Sequence, residues 1–217
     1  MNKTNSKIQY ASPVVIEFIR YFGKFVSKII WRIEFHGTKN IPQDLSKGLL
    51  VVANHQTYFD PFWLCLPIHR KFRFMAWDAA TEWFFIGKCI RYLGAFPVSL
   101  KGKGARKAMI EALRSLRDGA TLIIFPEGSR ELSDGKPLPF KPGAVRIALE
   151  AGVPILPVTI NGANKVWAQD INFPRPRKVK LFYHPVFEIP SLPEGIEEHQ
   201  FAEELTEKLK QIIESKL

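Results

Sequence analysis

Leu49–Pro61 reads LLVVANHQTYFDP, and this stretch decides how the chain around it folds. Its first five residues are apolar, which is typical of a buried strand. Asp60 and Pro61 are typical of a helix start, with Asp60 as N-cap and Pro61 at the first helical position. The stretch therefore predicts a strand, a short polar loop and a helix in succession.

Further strands and helices alternate along the chain and predict an α/β fold, a three-layer domain whose mostly parallel mixed sheet is flanked by helices. Val153–Ile160 contains two prolines, which favours an edge strand or an irregular start. The clearest amphipathic helix is Ala105–Arg117, and Gly119 stops it. The predicted strands are 34–37, 49–54, 72–77, 94–99, 121–125, 153–160 and 179–183; the predicted helices are 14–33, one from 61, 79–93, 105–117, 143–151 and 201–217.

The composition fits one globular domain with an anionic partner. The 217 residues are 46% hydrophobic and carry a net charge of +10. No helix-turn-helix, zinc-finger or RNA-recognition signature accompanies this charge, so we expect no nucleic-acid partner. The five histidines lack metal-ligand spacing, so no metal is expected. Two cysteines in apolar segments, without a CxxC motif, indicate a reducing compartment.

Residues 1–33 are predicted to be a polar tail followed by an amphipathic helix, with residues 34–217 as the main domain. The charged residues of Val14–Ile33 recur every three or four positions and form one narrow stripe on a helix. Apolar and aromatic side chains cover the rest of the surface. This pattern predicts docking to a membrane surface through residues 14–33. The alternatives are a helix packed on the core or a dimer helix. No signal peptide or transmembrane run is predicted.

His55 and Asp60 lie five positions apart in the loop after the first strand. A histidine in such a place can act as a general base near neutral pH, and a nearby carboxylate can orient it. The chain has no Gly-x-Ser-x-Gly elbow, so the base would act on a substrate hydroxyl. The alternative is structural, with His55 as a hydrogen-bonded loop residue.

A second polar loop, Phe125–Arg130, follows the predicted strand 121–125. If the two strands run parallel, this loop and His55 share one crevice, because ligands collect at the carboxyl ends of such strands. Arg130 can bind a phosphate with two hydrogen bonds, and Gly128 lets the backbone approach a ligand. Glu127 can accept a bond from a substrate hydroxyl or hold Arg130. The alternative is an ordinary turn.

Together these motifs resemble the glycerophospholipid acyltransferase family. Asn54–Asp60 is similar to its His-x-x-x-x-Asp motif, and Phe125–Arg130 is similar to its Glu-Gly-[Ser/Thr]-Arg block. Gly94–Val98 and Val153–Val158 resemble two further blocks, in the same order. The resemblance spans residues 54–158 and implies a glycerol-3-phosphate acyltransferase-like fold.

The resemblance also implies the reaction, in which a fatty acyl group passes from a thioester to the sn-2 hydroxyl of 1-acylglycerol-3-phosphate and gives phosphatidic acid. The acyl-CoA or acyl carrier protein donor is a co-substrate, and no bound cofactor is implied. The implied location is peripheral, on the cytoplasmic face of a membrane such as the bacterial inner membrane. The implied catalytic residues are His55 and Asp60; the predicted substrate-binding residues are Glu127, Gly128, Ser129, Arg130, Lys101 and Arg106.

One position departs from the family pattern. The second block of the family usually ends in an arginine, and here that position is Leu100, followed by Lys101. Lys101, Lys103 or Arg106 can supply a positive charge. A lysine, however, is a point charge and cannot form the paired hydrogen bonds that a guanidinium forms with a phosphate. An acyltransferase for another lysolipid acceptor therefore stays open. A membrane lipid-binding protein without catalysis is a second alternative, because it would share the amphipathic helix and the basic surface.

Overall fold

The computed structural model describes residues 8, 10–77, 84, 86–98, 103–130, 134–167 and 172–217. Over these residues seven strands form one sheet in the order β1-β7-β6-β2-β5-β3-β4. Five neighbouring strands, from β6 to β4, are parallel, and the pair β1 and β7 runs the opposite way at one edge. The strands are β1 Glu34–His36, β2 Leu49–Ala53, β3 Phe72–Trp77, β4 Ala95–Val98, β5 Thr121–Ile124, β6 Ile155–Asn161 and β7 Lys180–Tyr183.

Helices cover both faces of the sheet, which confirms the predicted three-layer α/β fold. Leu49 and Val51 of β2 point into one apolar cluster together with Trp63 of α2. Leu50 and Val52 point into the other, because alternate residues of a strand face opposite sides. The helices are α1 Pro13–Trp31, α2 Asp60–Cys65, α3 Ile86–Tyr92, α4 Lys103–Arg117, α5 Gly143–Ala151, α6 Asn164–Trp167 and α7 Glu198–Glu214, with a 3₁₀ turn at Thr38–Asn40.

β2 lies at the centre of the sheet, paired in parallel with β5 on one side and β6 on the other. Leu50 is opposite Leu122 in β5 and opposite Ile155 in β6. The carboxyl ends of all three strands therefore meet at one edge of the sheet. This arrangement brings the loop 54–59 and the loop 125–130 together, as the sequence predicted for two parallel strands.

The prediction that the proline-bearing strand lies at an edge is wrong, because β6 lies between β7 and β2. Pro154 precedes the strand, so the start is irregular as the alternative proposed. Pro157 is inside the strand, and its carbonyl accepts a hydrogen bond from the His184 amide, just past the end of β7. A backbone N–H at position 157 would point toward His184, beyond the last paired residues of β6 and β7. Proline therefore removes a hydrogen bond only at the end of this ladder, which an interior strand tolerates.

Helix α1 turns part of its charged stripe toward the protein. Arg20, Gly23 and Ser27 are its buried residues. The guanidinium of Arg20 forms an ion pair with Glu17 and donates to the carbonyl oxygen of Arg70 at 2.7 Å. The sequence pattern therefore predicted the charged stripe correctly but did not predict that part of it is buried. The burial of Arg20 is possible because protein groups replace water as its hydrogen-bond partners.

The opposite side of α1 is apolar and exposed. Phe18 and Phe25 have 67% and 63% of their surface accessible, and Phe22 has 58%. At the end of the helix Trp31 packs against Phe59 and Trp63, with ring centroids 5.0 and 5.4 Å away. The helix is thus fixed to the domain along one side and presents aromatic rings on the other.

Two further predictions fall partly or wholly on residues outside those that the structure describes. The predicted helix 79–93 is observed as α3 from Ile86 to Tyr92, and residues 79–83 and 85 lie outside the described residues. Leu100 and Lys101 also lie outside them. None of the helices in the described ranges has the length and apolarity needed to span a bilayer.

Candidate active site

Asn54 fixes the start of the first motif loop. Its side-chain amide donates to the carbonyl oxygen of Ile160 at 2.9 Å and accepts from the amide of the same residue at 2.8 Å. Both groups are buried, so these bonds are protected from competition with water. The loop therefore leaves β2 from a point tied to the neighbouring strand β6.

Asp60 is fully buried and holds the rest of this loop. Its Oδ2 accepts hydrogen bonds from His55 Nδ1 at 2.9 Å, the Gln56 amide at 2.5 Å and the Thr57 amide at 2.7 Å. Its Oδ1 accepts one from the Thr57 hydroxyl at 2.8 Å. All four contacts come from groups that can donate, which is the environment that an ionised carboxylate needs inside a protein.

The prediction that Asp60 caps helix α2 is corrected by this geometry. Asp60 is the first residue of the helix and Phe59 is the N-cap, and the cap position makes no side-chain hydrogen bond. The carboxylate turns back toward the loop because that side offers two backbone amides, a hydroxyl and an imidazole. The negative charge still lies in the first turn of the helix, where the helix dipole favours it.

His55 is held on two sides and open on a third. Its ring stacks on Phe125 with centroids 4.0 Å apart and planes 18° apart. Its Nδ1 faces Asp60, and the side chain is 19% exposed and lines a pocket of about 470 Å³. With Nδ1–H donating to Asp60, Nε2 is the nitrogen with a free lone pair. The structure thus brings His55 and Asp60 together at a pocket, in the arrangement that a general base and an orienting carboxylate require.

Glu127 connects the second motif loop to the first. One carboxylate oxygen accepts from the backbone amide of His55 at 2.6 Å, and the other accepts from the amide of Leu138 at 2.7 Å. Glu127 is 3% exposed. The predicted contact between Glu127 and a substrate hydroxyl stays a prediction. In the structure Glu127 positions the backbone of His55, the residue proposed as the base, through the bond to its amide.

The other residues of the second loop reach the pocket as predicted. Gly128, Ser129 and Arg130 line it together with His55. The guanidinium carbon of Arg130 lies 3.6 Å from the centre of the Tyr58 ring, in cation–π geometry. Arg130 thereby lies over an aromatic face at the pocket wall, and its guanidinium can bind an anion with two hydrogen bonds.

The structure places neither of the two remaining predicted binding residues in this pocket. Arg106 is exposed on α4 and is not among the residues that line this pocket, and Lys101 lies outside the described residues. Sequence reasoning also missed Tyr58, which lines the pocket, and Lys141, whose ammonium group lies beside Gly128. Tyr58 lies inside the first motif, yet nothing in its spacing indicates contact with Arg130. Lys141 lies 11 residues after Arg130, and no local pattern links the two.

The pocket and the fold agree with the comparisons to known proteins. A family model described as Acyltransferase matches residues 32–161, more than half of the chain. This chain belongs to the acyltransferase family. The matched range contains His55, Asp60 and the whole of the Phe125–Arg130 loop, so the family assignment covers the residues that form the pocket.

Among solved structures, this acyltransferase is similar to the 1-acyl-sn-glycerophosphate acyltransferase PlsC from Thermotoga maritima. The TM-score is 0.71 at 32% identity, over 93% of this chain and 79% of the other. Among curated relatives, it is 28% identical to a 1-acyl-sn-glycerol-3-phosphate acyltransferase of Borreliella burgdorferi, over 73% of this chain and 62% of the relative.

A chloroplastic 1-acyl-sn-glycerol-3-phosphate acyltransferase of Brassica napus is also 28% identical, over 71% of this acyltransferase and 47% of the relative. The chain therefore spans about half to three fifths of the length of these curated relatives. The region matched by the family model includes the two motif loops described above.

Proposed function

We propose that this acyltransferase moves a fatty acyl group from an acyl thioester to the sn-2 hydroxyl of 1-acylglycerol-3-phosphate, which gives phosphatidic acid for phospholipid synthesis. The observation that carries the proposal is the hydrogen bond of 2.9 Å between His55 Nδ1 and the buried Asp60, at a pocket that Arg130 also lines. The pocket thus combines an oriented base with a cation suited to a phosphate.

In the proposed reaction, His55 Nε2 takes the proton of the acceptor hydroxyl while its oxygen attacks the thioester carbonyl. Asp60 stabilises the imidazolium that forms. The carbon–sulfur bond then breaks, and the imidazolium returns its proton to the departing thiolate. A general base placed in this way contributes a rate factor of about 10²–10⁴. No metal or bound cofactor has a part in these steps.

A lipid substrate also fits the surroundings of the site. A narrow apolar pocket of about 130 Å³ lies between α1, α2 and β3 and includes Ile19, Phe62 and Phe74. Tyr58 lines both this pocket and the one at His55. A phosphate held by Arg130 and a hydrocarbon chain would thus meet at Tyr58, which suits a molecule with one polar and one apolar end.

We infer that the outward side of α1 docks the enzyme to a membrane surface, as predicted for residues 14–33. Aromatic and aliphatic side chains are exposed there, while the charged stripe is partly turned inward. An interfacial helix is stabilised by burying such a face among lipid headgroups and acyl chains. In this proposal the protein is peripheral, on the cytoplasmic face of a membrane such as the bacterial inner membrane.

The donor in this proposal is acyl-CoA or acyl carrier protein, both of which carry negative charge. Helix α4 presents exposed basic side chains at Arg106, Lys107 and Arg117. Such a row attracts phosphates or an acidic protein by long-range electrostatics. The predicted binding role of Arg106 therefore belongs with the donor in this proposal and not with the pocket at His55.

The test uses purified wild-type protein beside His55→Ala, with lysophosphatidic acid in phosphatidylcholine vesicles and oleoyl-CoA or an oleoyl carrier protein as donor. We expect the wild type to form phosphatidic acid and the variant to lose at least about 10²-fold in turnover with an unchanged circular dichroism spectrum. Equal turnover by both would contradict the role of His55. Transfer to a different lysolipid alone would favour the alternative acceptor.

A further inference from the structure

Lys141 lies beside the second motif loop although it is distant from the motif in sequence. Its backbone amide donates to the carbonyl oxygen of Pro126 at 3.0 Å. Pro142 follows directly, and α5 begins at Gly143. The backbone of Lys141 is therefore fixed between the motif loop and the start of a helix, which limits where its side chain can reach.

The ammonium group of Lys141 lies against Gly128. A β-carbon built on Gly128 would be 2.9 Å from Lys141 Nζ, closer than a real contact permits. Gly128 also has a φ of +74°, which favours glycine. The absence of a side chain at 128 therefore leaves room for the lysine ammonium beside Gly128, which itself lines the pocket.

The side chain of Lys141 is exposed, and no carboxylate among the residues that the structure describes forms an ion pair with it. Asp134 in the same segment instead accepts a hydrogen bond from the backbone amide of Lys136 at 2.8 Å. A cation held at a pocket without an acidic partner strengthens the positive potential there.

We infer that Lys141 and Arg130 together bind the phosphate monoester of the acceptor, and that Lys141 is the residue that selects a monoester over a diester head group. This inference rests on the proposed function. A monoester carries close to two negative charges at neutral pH, because its second pKa is about 6. A lysolipid with a choline or ethanolamine ester carries one negative charge and a cation, which two pocket cations would repel.

The two cations have different roles in this site. The planar guanidinium of Arg130 lies over the Tyr58 ring and can donate two parallel hydrogen bonds to phosphate oxygens. Lys141 supplies a point charge on a flexible stem, and it matches the second charge of the monoester. Loss of Lys141 should therefore weaken acceptor binding while leaving the His55–Asp60 pair intact.

The test compares wild type, Lys141→Met, Lys141→Arg and the matched control Lys136→Met, a neighbouring exposed lysine. Initial rates are measured with oleoyl-CoA and lysophosphatidic acid in phosphatidylcholine vesicles, and glycerol 3-phosphate serves as a soluble inhibitor. For Lys141→Met we expect a KM for lysophosphatidic acid roughly 10–100-fold higher, kcat within about twofold, and inhibition by glycerol 3-phosphate weakened by a similar factor.

Lys141→Arg should restore most of the affinity for lysophosphatidic acid. Lys136→Met should have the KM and the inhibition of the wild type. A Lys141→Met variant with wild-type KM and inhibition would overturn the inference while the proposed function stands. Equal defects in Lys141→Met and Lys136→Met would overturn it as well, because they would show a general charge effect. Absence of transfer to lysophosphatidic acid by the wild type would overturn the proposed function and this inference together.

Discussion

The carboxylate of Glu127 accepts a hydrogen bond of 2.6 Å from the backbone amide of His55, and this bond joins two loops 72 residues apart in the chain. Asp60 holds the imidazole of the same histidine. The backbone and the side chain of the proposed base are thus fixed from two different directions. Because Glu127 is almost completely buried, water cannot replace the bond it makes.

Glu127→Gln should therefore lower kcat and leave KM for the acceptor within about twofold. An amide has one acceptor oxygen, so one of the two backbone amides would face an N–H donor. We expect kcat to fall roughly 10–100-fold, as for loss of a hydrogen bond to a charged group. Steady-state kinetics measure the effect, and Glu150→Gln on the exposed side of α5 is the control. A raised KM with normal kcat would instead support the substrate contact that the sequence predicted.

Replacing Phe22 and Phe25 by serine should release the protein from membranes. Burial of an exposed phenylalanine is worth about 1.5–3 kcal/mol, so each substitution should weaken binding about tenfold or more. Cosedimentation with anionic vesicles measures the partition. Phe173→Ser is the matched control, because Phe173 is 80% exposed but lies outside α1. Unchanged sedimentation of the double variant would exclude α1 as the docking surface.

Point variants are preferable to deletion of residues 1–32 in this experiment. A deletion of these residues would remove more than the docking surface. In the structure, Trp31 packs against Phe59 and Trp63 in the core, and a β-carbon on Gly23 would be 2.5 Å from the Phe62 ring. A truncated protein should therefore lose stability as well as the docking surface.

Tyr58→Leu should weaken acceptor binding, whereas Tyr58→Phe should preserve it. The ring of Tyr58 supports the Arg130 guanidinium at 3.6 Å, and phenylalanine keeps that face. A cation–π contact is worth about 0.5–2 kcal/mol, so we expect KM for lysophosphatidic acid to rise roughly 2–30-fold in the leucine variant. Kinetics over a range of acceptor concentrations test this. Equal KM values for the two variants would show that the aromatic ring does not orient Arg130.

Stability should decrease below about pH 6.5 because of His184. The buried His184 Nε2 lies 2.8 Å from the Thr159 hydroxyl, and that hydroxyl donates to the Ile213 carbonyl. Burial, and then the nearby Lys216, lower the pKa of His184 from its ordinary value of 6.5. Just below pH 6.5 this histidine is therefore protonated in the unfolded chain more readily than in the folded protein. The free energy of unfolding consequently falls as pH falls below 6.5.

Urea unfolding at pH 7.5 and pH 5.5 measures this dependence. His184→Gln removes the titrating group and keeps a donor for Thr159, so it should lose less stability than the wild type between the two pH values. His199→Gln is the control, because His199 is exposed on α7. A loss in His184→Gln as large as in the wild type would assign the pH dependence to other groups.

Much of the fold and part of the site could be predicted locally. The apolar run Leu49–Ala53 predicted β2, and the five-residue spacing of His55 and Asp60 predicted their contact across one short loop. The periodicity of Val14–Ile33 predicted helix α1 to within two residues at each end. These features depend on near neighbours in the chain, so composition and spacing are sufficient to predict them.

The remaining features depend on which distant segments become neighbours. Strand order places β5 and β6 beside β2, and only then can Glu127 hold the His55 amide and Pro157 lie in an interior strand. The same packing turns Arg20 inward and brings Lys141 to Gly128. The sequence by itself determined the strands, the longer helices and the His55–Asp60 pair, because these are set by local spacing, whereas the short helix Asn164–Trp167 was not predicted. Only the tertiary structure decided which charges face the pocket, because contacts between segments remote in sequence exist only once the sheet has formed.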